Sequence, residues 1–80
     1  MKKIFIETES IKLDQLLKFA EVVDSGGLAK LLISEGFVKV NNGVCNQRGK
    51  KIFHDDMVDV SIPNENGSQE TFKLKIIKRG

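Results

Sequence analysis

The sequence predicts an α+β domain of two short helices set among strands. Two segments place apolar residues at helical spacing, and four others alternate apolar and polar residues with a period of two. Eighty residues suffice for one domain, 1–80, and a chain of that size buries only about 60% of its unfolded surface, so the core is small. A deep catalytic cleft has little room in it.

Lys3 to Glu7 opens the series as a short strand packed on one side, with Ile4 and Ile6 alternating against Phe5 and charged neighbours. From Leu13, the residues Leu16, Leu17, Ala20 and Val23 recur at i, i+3, i+4 and i+7, which predicts a helix. Its opposite face carries Asp14, Lys18 and Glu21, in position to pair with one another. Ser25 is the expected N-cap of a second helix, its hydroxyl accepting from a backbone amide of the first turn, and Gly36 the expected terminator. Leu28, Ala29, Leu32 and Ile33 are its predicted buried stripe, and Gly26, Gly27, Lys30 and Ser34 share the other side. Two glycines in a first turn disfavour a helix by about 1 kcal/mol each relative to alanine. They leave its amides open to a phosphate, with Lys30 one turn further on, or they serve only a sharp turn between the helices.

Past Gly36 the period changes to two. Val38 and Val40 point one way and Phe37, Lys39 and Asn41 the other, a strand with a cationic face. Asn41-Asn42-Gly43 has the residues that tolerate positive φ, so a turn is expected there, followed by an exposed loop or irregular strand through Asn46, Gln47, Arg48, Gly49, Lys50 and Lys51. Met57–Ile62 and Thr71–Lys78 alternate as hairpin partners joined by a solvent loop over Pro63–Gln69.

Charge is unevenly spread. Residues 1–24 carry four cations against five acids and residues 52–80 the same, whereas residues 25–51 carry Lys30, Lys39, Arg48, Lys50 and Lys51 against Glu35 alone. The net charge of +2 is therefore a central segment of +4 between flanks of −1 each, the one-sided field that attracts a polyanion. Arg48 is suited to fork onto phosphate, and Lys50 and Lys51 to act as point charges.

The expected class is a non-catalytic binder of RNA, with no cofactor and no metal. His54-Asp55-Asp56 has no second His or Cys pair to complete a zinc site, and Cys45 has no His at a telling spacing. With one Cys no disulfide forms within the chain, and the apolar run Ile4-Phe5-Ile6 is too short for an export signal or a membrane span, so a cytoplasmic monomer is expected. There is no Tyr or Trp, and the five Phe mostly follow apolar patterns, which argues against an aromatic platform for single strands.

The ordered motifs Leu13-Asp14-Gln15-Leu16-Leu17-Lys18, Ser25-Gly26-Gly27-Leu28-Ala29-Lys30, Ile33 to Asn41, Arg48-Gly49-Lys50-Lys51-Ile52 and Asp56-Met57-Val58 resemble the S4 RNA-binding domain. More narrowly they are similar to small stand-alone bacterial S4-domain proteins of the YaaA and YbcJ type, over roughly residues 11–62. The resemblance implies an S4-like (αL motif) fold, two helices packed on a small, mostly antiparallel sheet. Structured RNA, with ribosomal RNA as the expected target, would be bound across the second helix and the following strand and loop.

By position, the resemblance carries over Ser25, Gly26, Gly27, Lys30, Lys39, Asn41, Arg48, Lys50 and Lys51, with Ser25 and Asn41 open to a purely structural role. Gln47, Asn41 and Arg48 are candidates to touch sugar or base edges. Two departures bear on it: Leu28 stands where many members have an acidic residue, and Asp55-Asp56 replaces the usual Gly-Asp, which puts the geometry of that turn in question. The alternative function is a protein-interaction adaptor on the same scaffold, using a sheet edge or the apolar residues near Phe5 and Phe53.

Overall fold

A computed structural model describes residues 1–80. The strands and helices run β1 (Lys2–Ile6), β2 (Ser10–Lys12), α1 (Leu13–Phe19), α2 (Gly26–Ser34), β3 (Val38–Val40), β4 (Gly43–Val44), β5 (Lys51–Phe53), β6 (Met57–Pro63) and β7 (Gln69–Lys78). Five strands form a sheet in the order β1-β7-β6-β3-β4, and β2 pairs with β5 in a separate ribbon. Every pairing is antiparallel except β1 with β7. The result is the expected two helices on a mostly antiparallel sheet.

The core explains the layering. Ile4 and Ile6, Val38 and Val40, Val58 and Val60, and Leu74 and Ile76 are the buried members of the alternating strands, and they share one interior with Leu13, Leu16 and Leu17 of α1 and Ala29, Leu32 and Ile33 of α2. No polar or charged residue is buried, so all 24 Lys, Arg, Asp and Glu side chains are at least partly at the surface.

Three expectations are corrected. The first helix stops at Phe19, earlier than its apolar spacing suggests. Ala20 is its C-cap, Glu21 turns into the left-handed region at φ 60°, and the amides of Glu21 and Val22 return to the carbonyls of Lys18 and Leu17 at 3.0 Å each. This is a Schellman turn with glutamate where glycine is favoured. Val23 is buried all the same, brought there by the turn, and no ion pair joins Asp14, Lys18 and Glu21. Second, Leu28 is 38% exposed, because the stripe that α2 buries is only as wide as Ala29, Leu32 and Ile33. Third, none of the five Phe is fully buried, and Phe5, Phe19 and Phe53 are exposed, so the expectation that the Phe residues are spent in the core and leave no aromatic surface does not hold.

The second helix ends in the same device with the residue that suits it. Gly36 sits at φ 82° while the amides of Gly36 and Phe37 bond the carbonyls of Ile33 and Leu32. Asn41 and Asn42 take φ 50° and 72° in the β3–β4 turn, as expected of asparagine. At the altered Gly-Asp position Asp55 adopts φ 71°, the conformation a glycine would supply, so the turn survives the change. Asp56 then ties it down, its two carboxylate oxygens accepting from the Phe53 amide at 2.8 Å and from the Asn41 side-chain amide at 3.0 Å.

Candidate nucleic-acid interface

The start of α2 is capped as expected: Ser25 Oγ accepts from the Leu28 amide at 3.2 Å, and the Ser25 carbonyl accepts from Ala29. The amides of Gly26 and Gly27 have no acceptor within the protein. Both glycines have ordinary negative φ. A methyl group built on Gly26 would come no closer than 3.8 Å to the Lys18 side chain, and one on Gly27 no closer than 3.9 Å to Ser25 Oγ. Neither glycine is therefore demanded by conformation or by packing. What they do is leave the positive end of the helix uncovered.

The basic loop is held beside this turn by its own backbone. The carbonyls of Lys50 and Arg48 accept from the first amides of α1, Leu13 at 2.9 Å and Asp14 at 3.1 Å, and the Lys50 amide closes back on Gln47 at 3.1 Å. Main-chain groups fix the loop while its side chains stay free. Arg48 thereby joins Gly27, Lys30, Leu31, Ser34 and Asn46 around an open groove of about 560 Å³ that has no acidic side chain in its wall. Leu31, 54% exposed, gives it an apolar patch suited to a base or ribose. Sequence reasoning did not place Asn46 or Leu31 among the binding residues. Leu31 was legible, since it lies four residues after Gly27 on the same helix face, while Asn46 carried no signal of its own.

The other candidates are dispersed. Gln47 and Lys50 flank a neighbouring depression beside Gly43, Val44 and Cys45, which meets the groove at Asn46. Lys51 is exposed on β5, across from Lys12. Lys39 is on the sheet, in a hollow with Asp59 and Lys73, apart from Lys30 and Arg48. Asn41 has both ends of its side chain engaged internally, donating to Asp56 and accepting from the Met57 amide at 2.9 Å.

A helix start with bare amides, a lysine one turn on and a pinned arginine loop stand together on a small α+β module, a combination whose chemistry suits an anion. The chain belongs to the S4 domain family, the RNA-binding family its motifs resemble: the family's model matches residues 4–75. Over 57 residues it is 47% identical to the probable ribosome maturation protein RlbA of Bacillus subtilis (strain 168), a match that covers 71% of this chain and 80% of that protein. Its fold is similar to that of the 30S ribosomal protein S4e of Thermoplasma acidophilum, with a TM-score of 0.57 at 16% identity. The likeness spans 84% of this chain and 38% of the ribosomal protein. No helix is long and apolar enough to cross a membrane.

Proposed function

We propose that the protein binds folded RNA without altering it, through the first turn of α2, Lys30 and the Asn46–Lys51 loop, and that its target is ribosomal RNA or a ribosomal particle in the cytoplasm. The observation that carries this reading is the convergence of Gly27, whose amide is free, with Lys30 and Arg48 around a groove free of acids. A ribosome maturation protein as a relative supports the choice of RNA. A binding role, rather than a reaction, is supported by His54, whose Nδ1 accepts from the Lys78 amide at 2.9 Å and so serves the backbone.

The test uses an RNA hairpin whose two strands are joined by a hexaethylene glycol linker, so that every base is paired, in chelator, and two variants that each lose three positive charges. Arg48→Ala/Lys50→Ala/Lys51→Ala should bind far more weakly, with the salt dependence flattened by roughly 0.9 for each phosphate no longer neutralised, the duplex-DNA limit. Lys3→Ala/Lys73→Ala/Lys75→Ala should bind within about twofold of wild type, since none of its positions adjoins the groove. Equal losses with equal slopes overturn the assignment, and cleavage of the hairpin by wild-type protein overturns the non-catalytic reading.

A further inference from the structure

The strand residues that alternate with the core positions look out from the other side of the large sheet, and all are exposed or half-buried. The pairing register aligns them in rows across the strands. Lys39 of β3 is opposite Asp59 of β6, which is opposite Lys73 of β7; Lys75 of β7 is opposite Lys3 of β1; and Ile77 is opposite Phe5. Four lysines from three strands thus share one face with two carboxylates, Asp59 and Asp55, a balance of +2; at the edge of the face the guanidinium of Arg79 is matched by Glu7, which lines the same hollow as Phe5 and Arg79.

Folding alone does not favour this arrangement. Like charges directly opposite one another on neighbouring strands are destabilising, and Lys3 faces Lys75. Lys75 has only a loose contact of 3.9 Å with the exposed Asp55. Asp59 makes no ion pair with either lysine beside it, and its Oδ1 is buried without a hydrogen-bond partner. The lysines are therefore left largely uncompensated. At the β1 edge of the face, Phe5 is 42% exposed and Arg79 lies over its ring at 4.5 Å from the centroid. A planar cation over an exposed aromatic ring, with Lys3 two residues back on the same strand, is a platform for an unstacked base.

We propose that this open sheet face is a second RNA surface, specific to unpaired RNA: a base stacks at Phe5 and Arg79 while phosphates follow Lys3, Lys75, Lys73 and Lys39 across the strands. At about 4.8 Å per strand, the path from β1 to β3 is about 14 Å. A duplex has no unstacked base to offer Phe5, which is why the ligand is single-stranded. The surface is separate from the α2 groove and does not depend on it, so one RNA can place a folded element in the groove and an unpaired extension on the sheet.

The probe is a fluorescein-labelled, unstructured RNA of about ten nucleotides containing only adenine and cytosine, within the span of a single-strand binding module. Wild-type protein should bind it. Phe5→Ala and Phe5→Leu should each weaken binding roughly five- to a hundredfold, the range for removal of one stacked base, with the leucine keeping the apolar bulk and the fold. Lys3→Ala/Lys73→Ala/Lys75→Ala should also lose affinity, with a salt slope reduced by roughly 0.7 per phosphate released. Arg48→Ala/Lys50→Ala/Lys51→Ala should stay within about twofold.

The proposal is overturned if wild type ignores the oligonucleotide, if folded Phe5→Leu protein binds it as wild type does, or if both triple variants lose it equally. Polyglutamate competing as well as RNA also overturns it, since the face is then a general anion or protein-docking surface. The hairpin arm separates the two readings. Hairpin binding that needs Arg48, Lys50 and Lys51, together with oligonucleotide binding indifferent to Phe5, sinks the sheet surface alone.

Discussion

Replacing Gly27 by glutamate should make the protein more stable and a poorer RNA binder at once. The stability gain follows from local geometry. Gly27 has helical φ, and a side chain there enters space whose nearest atom is Ser25 Oγ at 3.9 Å from the Cβ. A residue other than glycine recovers up to about 1 kcal/mol of helix propensity. A carboxylate in the first turn of a helix that has no acidic residue there adds about 0.3–1 kcal/mol by opposing the helix dipole. The two together come to about 1–2 kcal/mol, each kcal/mol corresponding to a rise in Tm of about 4–8 °C for a domain of this size.

The RNA effect has the opposite sign, because the same carboxylate occupies the space proposed for a phosphate. Two like charges about 6 Å apart repel by about 0.7 kcal/mol in bulk water and about 3 kcal/mol at an effective dielectric of 20, which is roughly three- to a hundredfold in affinity. Gly27→Ala serves as the companion, with a similar propensity gain and little effect on RNA. Urea melts followed by circular dichroism and filter binding to the hairpin measure both quantities on the same samples. A folded Gly27→Glu protein that binds like wild type removes phosphate from the start of α2. Destabilisation by alanine removes the premise that these glycines are conformationally idle.

Glu21→Gly should raise stability by about 0.5–1 kcal/mol in urea melts, since the left-handed conformation costs a side chain about 1–2 kcal/mol and glycine gives back part of that gain in unfolded-chain entropy; Gly36 already has this arrangement at the end of α2. Asn41→Ala should cost about 2–3 kcal/mol, from two hydrogen bonds and a φ of 50° that alanine resists, while the RNA affinity of the folded fraction stays unchanged. Asn41→Gly should restore the conformational part alone. The hydrogen bond and charge of Lys78 hold the Glu9 carboxyl below the usual carboxylate range, so the pair's stabilisation is present at neutral pH and fades as pH falls through that range to the lowered value. Glu9→Gln should therefore be slightly less stable than wild type at neutral pH, and the difference should close on acidification.

Local chemistry explains which parts of the fold were legible. Ser25, Gly36 and the Asn41-Asn42 pair announce their roles because a cap, a left-handed terminus and a tight turn each need particular residue types at particular places, and all behave as expected. The β6–β7 hairpin was legible from alternation alone, although Pro63 and Gln69 belong to its strands rather than to the loop. The parallel pairing of β1 with β7 was not, since it joins residues about as far apart as the chain allows and neither strand names its partner. Val23 shows the limit of periodicity, for a Schellman turn delivered it to the same core that a longer helix would have reached.

The interface divides along the same line. Ser25, Gly26, Gly27 and Lys30 are neighbours in sequence, so a cap and a helical period suffice to group them. Arg48 joins them only because its own carbonyl, not its side chain, caps α1, and a main-chain carbonyl leaves no trace in the residue identity. Lys39 was correctly given to the polar side of its strand, but alternation says only that a residue is opposite Val38 and Val40, not that this side faces away from α2. Counting charge along the chain has the same blindness. It makes the two flanks appear self-neutralised, yet the sheet brings cations of both onto one face: Lys3 from the first segment is opposite Lys75 from the last across β1 and β7. Since salt dependence counts the phosphates actually neutralised, it responds to faces rather than segments, and a hairpin and an unpaired strand titrated against the two triple variants should give crossed slopes where a count along the sequence expects a single site.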